Sequence, residues 1–250
     1  MPNYILEYLI YGFYFLFLSL FIIYLANYIS IIYSLILVIS SSYIIPNILE
    51  FKLNKKELSY NFNIDYLQSF SDTLCNKHNI PIVDICISQI NSGTIEYQYN
   101  NSHKIYVPME SNPDSKSEES KAVVAHELSH LINNDRIKYN LFRSFLICIN
   151  SILLYFIYNN LNVYVLIVFS VFILVITPSI LNILIHRFEY RADEFAVLNT
   201  SAYAVSLRLR RNQTIIKNSS IKNIYPFIMP HPPISKRLKR INNINNSKYQ

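Results

Sequence analysis

The chain has 250 residues, of which 52% are hydrophobic and only 15% are charged. A typical soluble domain has about 25% charged residues, so this composition is unusual for a soluble globule and favours a membrane protein, with buried core helices as the alternative. Lysine and arginine exceed the acidic residues by 22 to 16, which gives a net charge of +6. Because no basic and aromatic module of a known nucleic-acid-binding type is visible, we expect anionic membrane lipid as a partner, and no nucleic acid.

Two long stretches have no charged side chain, one from residue 8 to 49 and one from residue 144 to 185. A helix crosses a bilayer in about 20 residues, so each stretch has room for two crossings. Polar residues interrupt the stretches, which predicts four spans near 8–25, 29–48, 144–158 and 163–185. The sequence therefore predicts about four transmembrane helices, as one hairpin within 1–49 and a second within 144–185.

Lysine and arginine lie on one side of these spans only. The basic residues next to the span ends are Lys52, Lys55, Lys56, Arg136, Lys138, Arg143, Arg187 and Arg191. The short connections within the hairpins, at 26–28 and 159–162, have none. Because cytoplasmic loops carry the excess of lysine and arginine, we expect a multi-pass protein of the cell membrane whose hairpins turn on the outer face and whose polar segments are cytoplasmic.

The first polar segment, 50–143, has the patterning of a globular unit. Apolar residues recur at helical spacing after Asn63, a possible N-cap, and predict a helix over 64–78. Short β-strands are predicted to follow, near 82–88, 94–99 and 104–107. A helix is then predicted from Ser117 to about residue 134, with acidic residues in its first turn.

The second polar segment, 186–250, is predicted to continue helically from Glu189 to about Leu198. A further helix is predicted from Ala202 to Arg211. The fold class is therefore mainly α with a small β element, in a multi-pass membrane protein.

The segment HELSH, in the predicted helix before the second hairpin, places His126 and His130 four residues apart. Residues at that spacing share a helix face, so both imidazoles can reach one zinc ion at about 2.0–2.1 Å. Glu127, beside the first histidine, then points at the open coordination position, where its carboxylate can take a proton from water. The pattern predicts a zinc site with Glu127 as the catalytic base.

A catalytic zinc site needs a third protein ligand, and Glu189 in the segment EYRAD fits that need. Asp193 lies one turn further along, where its carboxylate can accept the far N–H of a ligand histidine. An exposed acidic helix start is the alternative interpretation. His130 and Glu189 can share one ion only if the stretch between them crosses the membrane an even number of times, as the predicted hairpin does.

The order of these motifs resembles the HtpX-type membrane zinc peptidases, relatives of the CAAX prenyl endopeptidases. HELSH, Asp135, an apolar hairpin, EYRAD and HPPISKR at 231–237 follow one another over nearly the whole chain. The resemblance implies a zincin-like catalytic domain whose first part is 50–143 and whose second part is 186–250. It implies one Zn²⁺ per chain, with His126, His130 and Glu189 as ligands and Glu127 as the base.

The resemblance also implies roles for two residues of the HPPISKR block. His231 would lie near the developing oxyanion, as a further catalytic residue, and Arg237 would pair with an acidic residue of the core. The alternative for this block is a proline-led cap on a basic surface helix.

The leading functional hypothesis is a zinc-dependent endopeptidase that cleaves membrane proteins or membrane-proximal peptides, in protein quality control. The alternatives are a membrane-embedded signalling peptidase, a CAAX-type processing protease, and a catalytically inactive zinc-binding scaffold. The segment 94–99 alternates apolar and polar side chains, so it could offer a sheet edge to an extended substrate.

Overall fold

The computed structural model describes residues 4–26, 64–88, 94–96, 103–108, 118–216 and 231–247. Within these ranges the helices are α1 (Tyr4–Ala26), α2 (Asp65–His78), α3 (Glu118–Ile132), α4 (Asp135–Asn160), α5 (Val163–Asn199), α6 (Ala202–Ile216) and α7 (Ile234–Ser247). The strands are β1 (Val83–Ser88), β2 (Thr94–Glu96) and β3 (His103–Pro108). The prediction of a mainly α chain with a small β element is confirmed.

The chain divides into two compact units. The helical unit comprises residues 1–53, 136–186 and 221–231, and the mixed unit comprises residues 54–135, 187–220 and 232–250. Helix α5 contributes residues to both units, because it continues through the boundary at residue 186.

Two helices, α4 and α5, are long and apolar enough to cross a membrane by length and composition. The predicted span 144–158 lies within α4, whose 26 residues extend over about 39 Å at 1.5 Å per residue. The predicted span 163–185 lies within α5, and the predicted span 8–25 lies within α1. The fourth predicted span, 29–48, lies outside the described residues.

The turn between α4 and α5 follows from its polar sequence. Helix α4 ends at Asn160, and α5 begins at Val163. The side-chain oxygen of Asn162 accepts a hydrogen bond from the backbone N–H of Val165 at 3.1 Å, which satisfies one of the free donors at the start of α5.

Helix packing in the helical unit relies on a close approach and on a polar contact. A Cβ added at Gly12 of α1 would lie 2.4 Å from the carbonyl oxygen of Leu174 in α5, so only glycine allows this approach. Between α4 and α5, the buried Asn150 Nδ2 donates a hydrogen bond to Thr177 Oγ1 at 3.0 Å. Both features are typical of helices packed within a membrane.

The mixed unit contains a three-stranded sheet of order β1-β3-β2. Strand β3 pairs in parallel with β1 and antiparallel with β2, so β2 lies at an edge of the sheet formed by the described residues. Strands are present in all three predicted β segments, and residues 97–99 of the second lie outside the described residues. Gln68 of α2 ties that helix to β1, because its amide donates to the Val83 carbonyl and accepts from the Ile85 N–H, both at 2.9 Å. Helix α2 begins one residue later than predicted, after Ile64, which provides no side-chain cap.

Helix α3, which contains HELSH, is the central helix of the mixed unit. Each residue from Ala122 to Ser129 is buried, and the apolar ones belong to a core that also includes residues of α2, α6 and α7. The helix ends at Ile132, and Asn134 takes a left-handed conformation with φ of 53°. Helix α4 therefore starts immediately, and Asp135 is its first residue.

Candidate zinc centre

Three predicted zinc ligands lie together in the mixed unit. His126 and His130 lie one turn apart on α3, and Glu189 comes from α5. One ligand atom from each of the three lies within 4.8 Å of the others. His126 is 2% exposed and Glu189 is 6% exposed, so the group lies in a site that is shielded from bulk water.

The distances between these atoms suit ligands that share a metal ion. The Nε2 atom of His126 lies 3.6 Å from one oxygen of Glu189, and the Nε2 atom of His130 lies 3.7 Å from the other. Both distances are too long for hydrogen bonds. Two ligands at about 2.1 Å from a tetrahedral zinc ion are separated by roughly 3.4 Å, so the two nitrogens and one carboxylate fit a zinc ion.

Each histidine has a carboxylate behind it. The Nδ1 atom of His126 lies 3.1 Å from Asp193 Oδ1, and the Nδ1 atom of His130 lies 2.9 Å from Asp135 Oδ2. The hydrogen bond between His130 and Asp135 fixes the tautomer that carries its proton on Nδ1, and so leaves Nε2 as the metal-binding atom. The negative charge of Asp193 favours the same tautomer of His126. Both rings therefore present the required nitrogen toward Glu189.

The carboxylates also set the electrostatics of the site. Burial lowers the pKa of His130, but Asp135, Glu127 and Glu189 together raise it above its ordinary value. The surplus of negative charge around this ring favours a cation at its free nitrogen.

Arg237 of α7 links the third ligand to the carboxylate behind His126. Its Nε and Nη2 atoms donate to the two oxygens of Asp193 at 2.7 and 2.6 Å. Its Nη1 atom lies 2.9 Å from Glu189 Oε2. Burial would raise the pKa of Asp193, but Arg237 and then His126 outweigh burial and lower it to about 2.

Both interpretations of the HPPISKR block describe part of what the structure contains. The carbonyl of Pro233 accepts hydrogen bonds from the backbone N–H groups of Lys236 and Arg237, so the prolines do lead a helix start. The Arg237 side chain nevertheless points inward and is 7% exposed. His231 is exposed at the bend before the prolines, and its proposed role near the oxyanion stays a prediction.

Glu127, the predicted base, is buried on α3 beside the ligands and is 7% exposed. Its Oε1 atom lies 3.3 Å from Nη2 of Arg208 on α6. Arg208 is a site residue that the sequence does not reveal, because it is 81 positions away in a helix whose sequence reads as an ordinary basic helix. The ion pair gives the buried carboxylate the partner that a buried charge requires.

Asp135 and Arg191 are further residues whose roles the sequence did not predict. Asp135 lies behind His130 and also accepts a hydrogen bond from Arg191 Nη2. A signal for Asp135 did exist, since it follows HELSH closely at the start of a helix. The requirement for a carboxylate behind each histidine applies to His130 as much as to His126.

Comparison with known proteins places this site in a family. The model of peptidase family M48 matches residues 72–245, which include HELSH, EYRAD and the HPPISKR block. No curated protein sequence is a significant match.

Among solved structures, the chain is similar to the crystal structure of Ste24p from S. mikatae. The TM-score is 0.62 and the sequence identity 17%, over 92% of this chain and 63% of that chain. At this identity the likeness shows a shared fold, and this chain spans only about 63% of the length of Ste24p.

The family match covers more than half of the chain, and the resemblance seen in the motif order is thereby confirmed at the level of the family. Two apolar helices of membrane-spanning length accompany the site, and the likeness to Ste24p extends over most of the chain. The chain therefore belongs to peptidase family M48.

Proposed function

We propose that this protein is a zinc-dependent endopeptidase that hydrolyses peptide bonds of membrane or membrane-proximal proteins, in protein quality control. The observation that supports this best is that a carboxylate lies beside the Nδ1 atom of each histidine. Both Nδ1 atoms meet a carboxylate, at 3.1 and 2.9 Å, while both Nε2 atoms face Glu189. This arrangement leaves the three protein ligands of a catalytic zinc site, which keeps one position for water or substrate.

In the proposed reaction, Glu127 moves the proton. When bound, Zn²⁺ acts as a Lewis acid that activates water and polarises the scissile carbonyl. The Glu127 carboxylate takes the proton of the attacking water and passes it to the leaving amine. Asp193 and Asp135 hold the ligand rings, and Arg237 holds Asp193 and Glu189 in place.

Strand β2 is the proposed binding edge for the substrate. Among the described residues it pairs only with β3, so an extended peptide could add to its other side through backbone hydrogen bonds. Main-chain recognition of this kind tolerates many side chains, as a quality-control protease requires.

We propose a multi-pass arrangement in the cell membrane with the mixed unit on the cytoplasmic side, on the basis of the lysine and arginine flanks. Cysteine labelling with a membrane-impermeant thiol reagent tests this orientation. Cys75 is fully buried and does not suit the test. In a Cys86→Ser background, Asn160→Cys should react in intact cells, whereas Lys77→Cys should react only after the membrane is opened; both positions are exposed. The reverse pattern would invert the topology.

Substitution of Glu127 tests the proposed function most directly. General acid–base catalysis contributes about 10²–10⁴-fold, so Glu127→Gln should lower kcat on a protein substrate by at least that factor. Zinc content should remain, because glutamine has the same shape and Glu127 is not a proposed ligand. Activity of the unaltered protein should stop with a chelator and return with zinc.

Near-normal turnover by Glu127→Gln would contradict the proposed mechanism and favour the zinc-binding scaffold. The same variant can trap substrates for identification by mass spectrometry. Misfolded membrane proteins among the trapped species would support quality control. A single regulatory protein would support the signalling alternative, and prenylated C-terminal peptides would support CAAX-type processing.

A further inference from the structure

Arg208 is a largely buried cation at the candidate site, and its ion pair is with Glu127 rather than with a proposed zinc ligand. Its side chain is 11% exposed, and its Nη2 atom lies 3.3 Å from Glu127 Oε1. Burial of a guanidinium group without strong pairing is costly. A reason for its presence should therefore lie in what it contacts, and that is the catalytic base.

The two buried arginines of the site differ in how they use their donors. Arg237 engages Asp193 through two nitrogens and Glu189 through the third. Within the part of the chain that the structure describes, Nη1 of Arg208 is buried and has no hydrogen-bond partner. A buried arginine with a purely structural role normally satisfies its donors, as Arg237 does.

The contact with Arg208 gives the two oxygens of the Glu127 carboxylate different roles. The base must keep one oxygen available to take and return a proton. A side chain that could rotate freely would present the right oxygen only part of the time. Because Nη2 of Arg208 engages Oε1, rotation of the carboxylate is restricted and Oε2 is left for the proton.

We propose that Arg208 is a positioning residue for the general base: it holds Oε1 of Glu127 and thereby orients Oε2 for proton transfer. This inference rests on the proposed function, since it assumes that Glu127 moves the proton. It adds a fifth helix to the site, α6, which provides no proposed zinc ligand.

The test compares Arg208→Met, Arg208→Gln and Arg208→Lys with Arg210→Met, an exposed arginine on the same helix. Loss of a supporting residue of this kind typically lowers activity about 10- to 100-fold, so Arg208→Met should lower kcat by that factor with KM and zinc content unchanged. Lysine should restore part of kcat, because it keeps the charge but not the planar fork. Arg210→Met should match the unaltered protein.

A double-variant comparison separates positioning from stability. In a Glu127→Asp background the shorter carboxylate cannot keep the same contact, so Arg208→Met should there lower kcat much less than it does alone. Thermal unfolding and zinc titration by chelator competition should accompany each variant. The zinc affinity of Arg208→Met should not fall, because the substitution removes no ligand and no residue that holds one.

Several outcomes would overturn the inference. The first is near-normal kcat in Arg208→Met. The second is that Arg208→Met lowers kcat by the same factor in the Glu127→Asp background as it does alone. The third is a loss of kcat that is explained by a loss of zinc. If none of the three Arg208 variants folds, the residue is structural and the proposal is wrong. Full activity in Glu127→Gln would instead refute the proposed function, and the two failures are therefore distinguishable.

Discussion

The apolar stretch 144–185 and the candidate zinc site bury different kinds of polar group. Within the apolar stretch 144–185 of the helical unit, the buried polar side chains are uncharged, as in the pair Asn150 and Thr177. In the mixed unit, charged groups are buried together at the candidate zinc site, as in the pair Asp193 and Arg237. The same chain therefore contains two different solutions to the cost of an interior polar group.

The two units also differ in how far their large apolar side chains are exposed. Helices α4 and α5 expose large apolar side chains, such as Phe156, Val168 and Phe172, which are 54–70% exposed. In the mixed unit, apolar residues from five helices and the sheet form one buried core. Hydrophobic burial in the mixed unit can therefore offset the cost of a buried charged cluster. Helices in lipid lack that source of stability and use close approach and weak hydrogen bonds.

Zinc binding should give the largest effect in the mixed unit. Glu189→Ala removes one of three proposed ligands, so the purified protein, which should hold about one zinc per chain, should lose most of it. Glu194→Ala is the control, since this carboxylate lies on the same helix but is largely exposed. Metal analysis by mass spectrometry would measure both. Unchanged zinc in Glu189→Ala would remove this residue from the site.

Stability of the charged cluster should give the next largest effect. Arg237→Met leaves the buried carboxylates of Asp193 and Glu189 without their common partner, and breaking a buried pair costs about 3–5 kcal/mol. Arg240→Met should cost at most about 1 kcal/mol, because its contact with Glu194 is exposed. Denaturant titration in detergent compares the two. Equal losses would show that the cluster is not what stabilises the mixed unit.

The carboxylates behind the histidines should have a smaller effect, on metal affinity. Asp135→Asn and Asp193→Asn keep the side-chain shape but weaken the hold on Nδ1, so each should weaken zinc binding about 10- to 100-fold. Asp84→Asn, at an exposed position in β1, should leave zinc affinity unchanged. Chelator competition measures all three variants. If Asp135→Asn kept the zinc affinity of the unaltered protein, only the carboxylate beside His126 would support zinc binding.

The hydrogen bond inside the helical unit should give the smallest effect. Interhelical hydrogen bonds in membranes contribute about 0.6 kcal/mol on average, so Asn150→Ala should lower unfolding stability by about that amount. Thr177→Val removes the same contact from the other side, and the double variant should cost little more than either alone. A loss as large as that of Arg237→Met would show that the two units do not differ as described.

The features that could be predicted from the sequence are those that depend on local spacing along the chain. His126 and His130 share a helix face because they are four residues apart, and Glu127 follows the first histidine directly. The apolar helices could likewise be predicted, since length and composition are local properties. Glu189 needed one further argument, the even number of crossings, because a hairpin separates it from His130.

The sequence predicted Asp193 beside a ligand histidine and, by resemblance, Arg237 paired with an acidic residue, but the particular partners follow from the tertiary structure. Asp193 lies behind His126, Asp135 lies behind His130, and Arg237 joins Asp193 to Glu189 across 44 and 48 positions of sequence. Arg208 reaches Glu127 from 81 positions away. Helical periodicity shows which face of an element is buried but not which element it meets. The particular partner of a distant charged side chain is therefore known only from the folded structure.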